Sequence, residues 1–181
     1  SQNEVGITEF RIDIGALGGV QLASSSGENL NGSSQNDMLA GQGGDDTLDG
    51  GAGDDIIVDG AGSDVMIGGL GADIFVLTDD GMPDAISDYN PAVDALDLSA
   101  LGLLYSVSQL TIQSTGSGAT ITFFGEVLNI TSHDFTPLSA ADFTDATIVN
   151  IQRMPMWGVV VDQVLMGTSG ADELVGDTGD D

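Results

Sequence analysis

The stretch that decides the fold runs from residue 32 to residue 76 and reads GSSQNDMLA GQGGDDTLD GGAGDDIIV DGAGSDVMI GGLGADIFV. These are five nine-residue blocks with no insertion between them. Glycine fills most of the first, second and fourth positions, and the eighth position is always a large apolar residue. Every block has an aspartate at its sixth position, and the five are Asp37, Asp46, Asp55, Asp64 and Asp73. A repeat of this length predicts a solenoid, in which stacked units share one core.

The order of residue types within a block assigns a role to each position. Glycines near the start permit a tight turn with positive φ. That turn directs backbone carbonyls inward, and carbonyl and carboxylate oxygens are the ligands that Ca²⁺ prefers. The last three residues form a short strand, whose middle side chain points opposite to its neighbours and into the interior. The pattern therefore predicts a calcium-binding parallel β-solenoid.

Two blocks form one coil, so neighbouring coils bring together block n and block n+2. Five blocks predict three complete calcium sites, formed by Asp37 with Asp55, by Asp46 with Asp64, and by Asp55 with Asp73. The glycines expected to shape these loops are Gly41, Gly43, Gly50, Gly51, Gly53, Gly60, Gly62, Gly68, Gly69 and Gly71. The alternative is a flexible linker rich in glycine and aspartate, which would lack the apolar eighth position.

The blocks resemble the GGxGxDxUx repeats of RTX (repeats-in-toxin) proteins, which Gram-negative bacteria secrete through type I machinery. Departures from this pattern include Ser33 and Gln35 in the first block and Asp59 at the start of the fourth. The resemblance implies an all-β, right-handed parallel β-roll that binds Ca²⁺. It also implies a secreted or cell-surface protein, with the type I secretion machinery as a partner of the parent polypeptide.

A second, shorter match lies at residues 167–181, which read GTSGADELV GDTGDD and place Asp172 and Asp181 at the sixth position. Because the sequence begins with serine and stops inside this block, we expect a piece of a larger protein in which a second array starts. Strand segments at residues 1–31 and 146–166 precede the two arrays. The second segment contains Met-Pro-Met-Trp at 154–157, for which a place in the core is favoured over an interaction surface.

Residues 77–145 predict a different kind of β-structure. LTIQS (110–114), ATITFF (119–124) and EVLNIT (126–131) are separated by turn sequences, and a short helix is expected at Ser139–Phe143. The segment resembles the C-terminal region of serralysin-type metalloproteases, most clearly in DALDLSAL at 94–101. This resemblance implies an antiparallel, β-sandwich-like cap.

Four further acids follow the array and could complete a site at its last coil. They are Asp84, Asp88, Asp94 and Asp97.

The outward positions of the first, third and fifth blocks are apolar, from Met38 to Val76. A sheet that is apolar on both faces is usually covered. We therefore expect the N-terminal strands or residues 100–131 to pack over this face. The alternative is an exposed apolar patch for a partner protein.

Composition limits the classes of partner. The formal net charge is −27, from 24 Asp and 5 Glu against two Arg and no Lys. This balance disfavours nucleic acid and direct binding to an anionic membrane. The hydrophobic fraction of 41% does not fit a disordered acidic tail. Without cysteine, disulfides and thiolate metal sites are excluded.

No catalytic constellation is visible, and we expect that this chain is not an enzyme. The single histidine, His133, excludes an H-E-x-x-H zinc site, and there is no G-x-S-x-G motif or cysteine nucleophile. A Ser–His–Asp triad is not excluded by the sequence, but no spacing supports one. The acidic pairs at 45–46 and 54–55 recur with the block period, which favours ion binding over a glycosidase dyad.

Together these features predict a calcium-binding RTX module that folds on binding Ca²⁺ after export and stabilises a larger polypeptide. Two alternatives remain open at this point. One is an adhesin or surface-layer segment that mediates self-association. The other is the non-catalytic C-terminal tail of a secreted hydrolase.

Overall fold

The structure is a computed structural model in which residues 17–102, 104, 106–144 and 147–149 are described. In this part of the chain, regular structure is almost entirely β-strand. The strands are β1 (Leu17–Leu22), β2 (Asn29–Ser33), β3 (Asn36–Ala40), β4 (Thr47–Ala52), β5 (Ile56–Val58), β6 (Val65–Leu70), β7 (Ile74–Val76), β8 (Pro83–Tyr89), β9 (Ala95–Asp97), β10 (Thr111–Ser114), β11 (Gly118–Phe123), β12 (Glu126–Ser132) and β13 (Ile148–Val149). Two short 3-10 helices span Val107–Gln109 and Ala140–Asp142. No helix among the described residues is long and apolar enough to cross a membrane.

The strands form two sheets, and the chain alternates between them along the array. One sheet has the order β1-β3-β5-β7-β9-β13 and the other has the order β10-β11-β12-β8-β6-β4-β2. In the array each strand pairs in parallel with the strand two places further along. Met38 lies opposite Ile56, and Ile56 lies opposite Ile74, which is a spacing of two blocks. The prediction of a parallel β-roll with two blocks per coil is therefore confirmed.

The interior of the roll is a column of the eighth-position side chains. Leu39, Leu48, Ile57, Met66 and Phe75 are all completely buried. Burying such a side chain stabilises a fold by about 1.5–3 kcal/mol relative to leaving it exposed. The strict apolar eighth position therefore reflects this shared core.

Aromatic rings continue the core beyond the last block. The ring of Tyr89 is tilted against that of Phe75, with centroids 6.2 Å apart. On its other side it stacks on Phe143 at 5.8 Å. These contacts join the end of the array to the segment that follows the second 3-10 helix.

The roll extends past both ends of the five-block pattern. Downstream, Ile74 pairs with Ala95 in β9, and Val65 pairs with Ala85 in β8, so the coil grows by a few residues. Upstream, β2 pairs in parallel with β4, and Leu30 lies opposite Leu48. Residues 23–31 thus act as a further block, although they lack the glycine pattern.

The predicted antiparallel strands and short helix after the array are confirmed, but the strands do not form a separate layer. β10, β11 and β12 pair in antiparallel fashion, and β12 also pairs in parallel with β8. They therefore continue the second sheet of the roll. The short helix is the 3-10 turn at Ala140–Asp142, capped by the side chain of Ser139.

The predicted cover over the apolar face is not found among the described strands. β1 pairs edge to edge with β3, with Val20 opposite Met38, and β10–β12 extend the second sheet. The edge of a sheet carries unpaired N–H and C=O groups. These segments pair with such edges and do not cover the apolar face. The outward side chains of Ile56 and Ile74 remain partly exposed.

Several expectations lie outside the described residues. They concern the first 16 residues of the predicted strand segment at 1–31, the Met-Pro-Met-Trp sequence at 154–157, and the second array with Asp172 and Asp181.

The second-position glycines provide a test of the loop geometry. Gly51 has a φ of 97°, and a Cβ atom there would lie 2.4 Å from the carbonyl oxygen of Ser33 in the preceding coil. Gly51→Ala should lower the free energy of unfolding in calcium by at least about 1 kcal/mol, because it adds left-handed strain to a steric clash. Thermal or urea unfolding followed by circular dichroism measures this change.

Gly116 is the matched control for Gly51. It lies in the turn between β10 and β11, where a Cβ atom would have no heavy atom within 4 Å. Gly116→Ala should leave stability nearly unchanged. Equal losses in the two variants would contradict the loop geometry described above.

Candidate metal centre

The sixth-position aspartates lie in two columns, one along each row of turns of the roll. All five are at least 98% buried. Within each column the backbone N–H of one aspartate donates to the Oδ1 atom of the aspartate 18 residues later. The N···O distances are 2.7 Å for Asp37 to Asp55, 2.7 Å for Asp46 to Asp64, and 2.9 Å for Asp55 to Asp73. The structure thus brings together the three pairs that the block period predicts.

In three of these aspartates the second carboxylate oxygen lacks a hydrogen-bond partner. The Oδ2 atoms of Asp46, Asp55 and Asp64 are buried and have no hydrogen-bond partner among the described residues. Leaving a buried carboxylate oxygen unpaired is costly unless a cation neutralises it. Carboxylate oxygens held against a loop are the donors that a hard cation such as Ca²⁺ accepts. The residues present therefore fit calcium.

The first block differs from the others at this point. The Oδ2 atom of Asp37 accepts hydrogen bonds from the backbone N–H of Ser33 at 2.6 Å and from its hydroxyl at 2.8 Å. Ser33 stands where the other blocks mostly have glycine. The departure from the repeat thus supplies a donor to the oxygen that stays unpaired in the next three blocks.

The first-position glycines leave room beside the carboxylates. A Cβ atom on Gly50 would lie 2.4 Å from the Oδ2 atom of Asp55, and one on Gly68 would lie 2.4 Å from that of Asp73. Gly41 has the same relation to Asp46 at 2.7 Å. A side chain at these positions would fill the space next to the ligand oxygen.

Glycines at the second and fourth positions take up the left-handed turn. Those with positive φ are Gly44, Gly51, Gly53, Gly60, Gly62, Gly69 and Gly71. In the second block the residues with positive φ are Gln42 and Gly44, whereas the sequence pattern had selected Gly43. A Cβ atom on Gly43 would meet nothing closer than 3.7 Å. The sequence reasoning missed Gly44 because this block has three glycines in four residues.

Asp59 replaces glycine at the start of the fourth block and is completely buried. Its carboxylate accepts hydrogen bonds from the backbone N–H groups of Gly60 and Thr78. The pKa of Asp59 is raised to about 7, mainly by burial and also by the charge of Asp64, and the hydrogen bonds from Gly60 and Thr78 oppose this rise. This block therefore places a second acid beside its sixth-position aspartate.

The hydrogen-bond ladder continues beyond the five blocks at both ends. Upstream, the N–H of Glu28 donates to Asp46 at 2.6 Å, so Glu28 occupies the sixth position of the block at residues 23–31. Downstream, the backbone N–H of Asp64 donates to Oδ1 of Asp84 at 3.0 Å, and that of Asp73 donates to Oδ1 of Asp94 at 3.1 Å. Sequence reasoning missed Glu28. The signal that could have found it is Leu30, which stands two residues later, as the apolar eighth position follows the sixth-position acid in every block.

Two of the four acids that follow the array therefore join the ladder, and the other two lie elsewhere. Asp88 accepts from the N–H groups of Gly68 and Gly69, the first residues of the fifth block. Asp97 accepts from the N–H of Ser99 at the end of β9. Asp88 thus binds the outer turn of the last block, and Asp97 does not line up with the sixth-position columns.

Burial raises the pKa of most of the ladder carboxyls. It raises the pKa of Asp64 to about 6 and those of Asp73 and Asp84 to about 7, with neighbouring acids adding to the effect. The described residues contain no lysine or arginine, because both arginines, Arg11 and Arg153, lie outside them. Cations or protons must therefore compensate these charges.

Comparison with known families agrees with this geometry. The family model of the RTX calcium-binding nonapeptide repeat matches residues 23–57, 50–79 and 159–181, in four copies. This chain carries RTX calcium-binding repeats. The match begins at residue 23, so it includes the RTX block that contains Glu28. The third matched stretch includes the two blocks that begin at Gly167. The likeness of residues 77–145 to serralysin-type proteases stays a prediction.

Two solved structures have a similar fold. The AlgE6R3 subunit of the Azotobacter vinelandii mannuronan C5-epimerase superposes with a TM-score of 0.53 at 23% identity, over 88% of this chain and 93% of that one. The AlgE6R2 subunit of the same epimerase gives 0.54 at 23% identity, over 77% and 94%. Among the curated proteins no significant match is found.

The raised pKa values predict how pH acts on the calcium-free fold. An aspartate has a pKa near 4 in an unfolded chain, whereas Asp73 and Asp84 titrate near 7 in the fold. The native state thus binds protons more tightly, so its stability should rise as pH falls from about 8 towards 5. The penalty for folding with these groups ionised is fully present above about pH 7.

Protons and calcium compete for the same oxygens, so calcium affinity should change in the opposite sense. The apparent affinity should fall over the same pH window, which calcium titrations followed by circular dichroism at several pH values would show. A constant affinity from about pH 8 to pH 5 would contradict this account.

Proposed function

We propose that this chain is a calcium-binding module of a secreted bacterial protein, which folds when it meets extracellular calcium and stabilises a larger polypeptide. The observation that carries this proposal is the ladder of buried aspartates with unpaired Oδ2 atoms at Asp46, Asp55 and Asp64. The RTX family match supports the identity of the ion. The resemblance to RTX proteins supports export through type I machinery as part of this proposal.

The energetics favour coupling between calcium and folding. For a site with a Kd of about 10⁻⁴ M, ~1 mM calcium adds roughly 1.4 kcal/mol of stability. Three such sites would add roughly 4 kcal/mol, which is comparable with the whole stability of a marginal domain. At the submicromolar calcium level of a cytosol this contribution disappears. We therefore expect an expanded chain before export and a folded roll afterwards.

The proposal also covers the role of the module within its parent protein. We assign it a non-catalytic role, because most of its buried acids belong to the ladder and His133 is exposed. The similar AlgE6R3 and AlgE6R2 modules are described as subunits of an epimerase, which supports a place beside a separate catalytic part. The tail of a secreted hydrolase is one form of this arrangement.

Far-UV circular dichroism in EGTA and then in excess calcium tests the central claim. The spectrum should change from that of an unfolded chain to that of a β-rich protein, and the hydrodynamic radius should fall. Magnesium at the same concentration serves as the control cation. Identical spectra in EGTA and calcium would refute the proposal.

Asp55 allows a sharper test, because it belongs to two of the three predicted sites. In Asp55→Asn the amide oxygen still accepts from the N–H of Asp37, but one negative charge at the metal is lost. We expect the calcium concentration at the folding midpoint to rise several-fold. Weaker folding without any change in calcium dependence would argue against a ligand role.

Asp54 is the matched control for Asp55. It is exposed and accepts a hydrogen bond from Ala72 at 2.9 Å, which asparagine preserves. Asp54→Asn removes the same charge one residue away and should leave the midpoint nearly unchanged. Similar shifts in both variants would point to net charge as the cause.

Self-association is a second candidate function, supported by the apolar face of the first sheet. Val20 lies opposite Met38, and this row continues through Ile56 to Ile74. Val20 is 57% exposed. A face of this kind could bring two copies together once calcium has ordered the roll. Light scattering should then show multimers in calcium and monomers in EGTA, and a monomer in both conditions would exclude this function.

A further inference from the structure

A second group of carboxylates lies where the last coil meets the antiparallel strands, and only one of its members, Asp84, belongs to the hydrogen-bond ladder. It consists of Asp80, Asp84 and Glu126. One carboxylate oxygen of each lies within 4.8 Å of those of the other two. Asp80 lies just before β8 and Asp84 is the second residue of that strand, whereas Glu126 is the first residue of β12. The group thus joins two parts of the chain that are far apart in sequence.

Backbone groups hold these side chains in place. Asp80 accepts from the N–H of Gly62 at 2.6 Å through Oδ2 and from that of Met82 at 2.8 Å through Oδ1. The Oε1 atom of Glu126 accepts from the N–H of Gly81. As part of the ladder, Asp84 also accepts from a backbone N–H through Oδ1. Hydrogen bonds from backbone N–H groups therefore hold the three carboxylates close together.

The Oε2 atom of Glu126 points independently to a ligand. Glu126 is 95% buried, and this oxygen has no hydrogen-bond partner among the described residues. The side chain also borders an apolar cleft. The apolar residues of that cleft are Leu77, Leu98, Leu101, Ile121, Phe123 and Leu128. Water has little access to an oxygen in such surroundings, so a bare carboxylate there would be costly.

The described residues offer no basic partner to this group, since they contain neither lysine nor arginine. Burial raises the pKa of Glu126, and the nearby charges of Asp80 and Asp79 raise it further. Three converging carboxylates with a free buried oxygen are a donor set for a hard divalent cation. The nonapeptide pattern does not reach Asp80 or Glu126, so no repeat position accounts for them.

We propose that Asp80, Asp84 and Glu126 bind one calcium ion at a site outside the nonapeptide loops, and that this ion fastens the β11–β12 hairpin to the last coil of the roll. The carboxylates of the roll and of β12 would share the ion. Calcium that folds the repeats would thereby also attach the hairpin, which otherwise adds to the roll through the pairing of β12 with β8.

Glu126→Gln is the variant that tests the site. Glutamine keeps an oxygen to accept from the N–H of Gly81 but removes the charge. In saturating calcium, ion analysis after equilibrium dialysis should find one bound calcium fewer per chain than in the unchanged protein. Hydrogen exchange of the amides of β11 and β12 should become at least several-fold faster, while that of β3, β5 and β7 stays the same.

Asp79→Asn is the matched control. Asp79 is exposed, lies next to Asp80 and is not among the three converging side chains. This variant should retain the full number of calcium ions and normal exchange in β12. The loss of an ion in both variants would overturn the proposal, because it would trace the effect to net charge.

The outcomes separate this site from the repeats. A full calcium count in Glu126→Gln overturns the proposed site, even though the repeats bind calcium. If Glu126→Gln does not fold in calcium, Asp80→Asn replaces it, since Asp80 is only partly buried. A full count in Asp80→Asn then overturns the site. An unchanged protein that binds no calcium at all would overturn both this proposal and the proposed function.

Discussion

The structure depends on the burial of like-charged carboxylates beneath its turns. The side chain two residues after each sixth-position aspartate fills the core, and the aspartate itself is buried beneath the turn, either directly before a strand or, for Asp37, inside β3. One oxygen accepts a hydrogen bond from the preceding coil, as in the pair Asp37 and Asp55. In the middle blocks the other oxygen stays unpaired. The same carboxylate therefore links neighbouring coils by a hydrogen bond and leaves a buried charge that a cation can neutralise.

The scarcity of basic residues determines how the charge of these buried carboxylates can be compensated. An ordinary protein would pair buried acids with lysine or arginine, and the ion pairs would be permanent. The described part of this chain has neither residue, so compensation must come from solution. Under the proposed function, the concentration of free calcium and the pH would set the stability of the fold. The same sequence would then be expanded in one compartment and folded in another.

At both ends of the roll, segments without the nonapeptide pattern continue the stacking of the coils. Glu28, Asp84 and Asp94 continue the ladder although the glycine pattern is absent around them. The ring of Tyr89 closes the core between two phenylalanines, and β12 pairs with the exposed edge of β8. The similar fold of AlgE6R3 at 23% identity fits this picture, since only a few positions per block are under strong physical constraint.

The sequence by itself determined the parallel roll, the pairing of Asp37 with Asp55 and its equivalents, and the buried eighth position. It could do so because these features repeat every nine residues and each depends on local turn and strand geometry. It did not reveal Glu28 as a ladder residue, the left-handed Gly44, or the edge pairing that replaced the expected cover. Nor did it show the meeting of Asp80 with Glu126, which lie 46 residues apart. Only the tertiary structure decided these points, because they depend on how non-repeating segments pair with the strand edges that the roll leaves open.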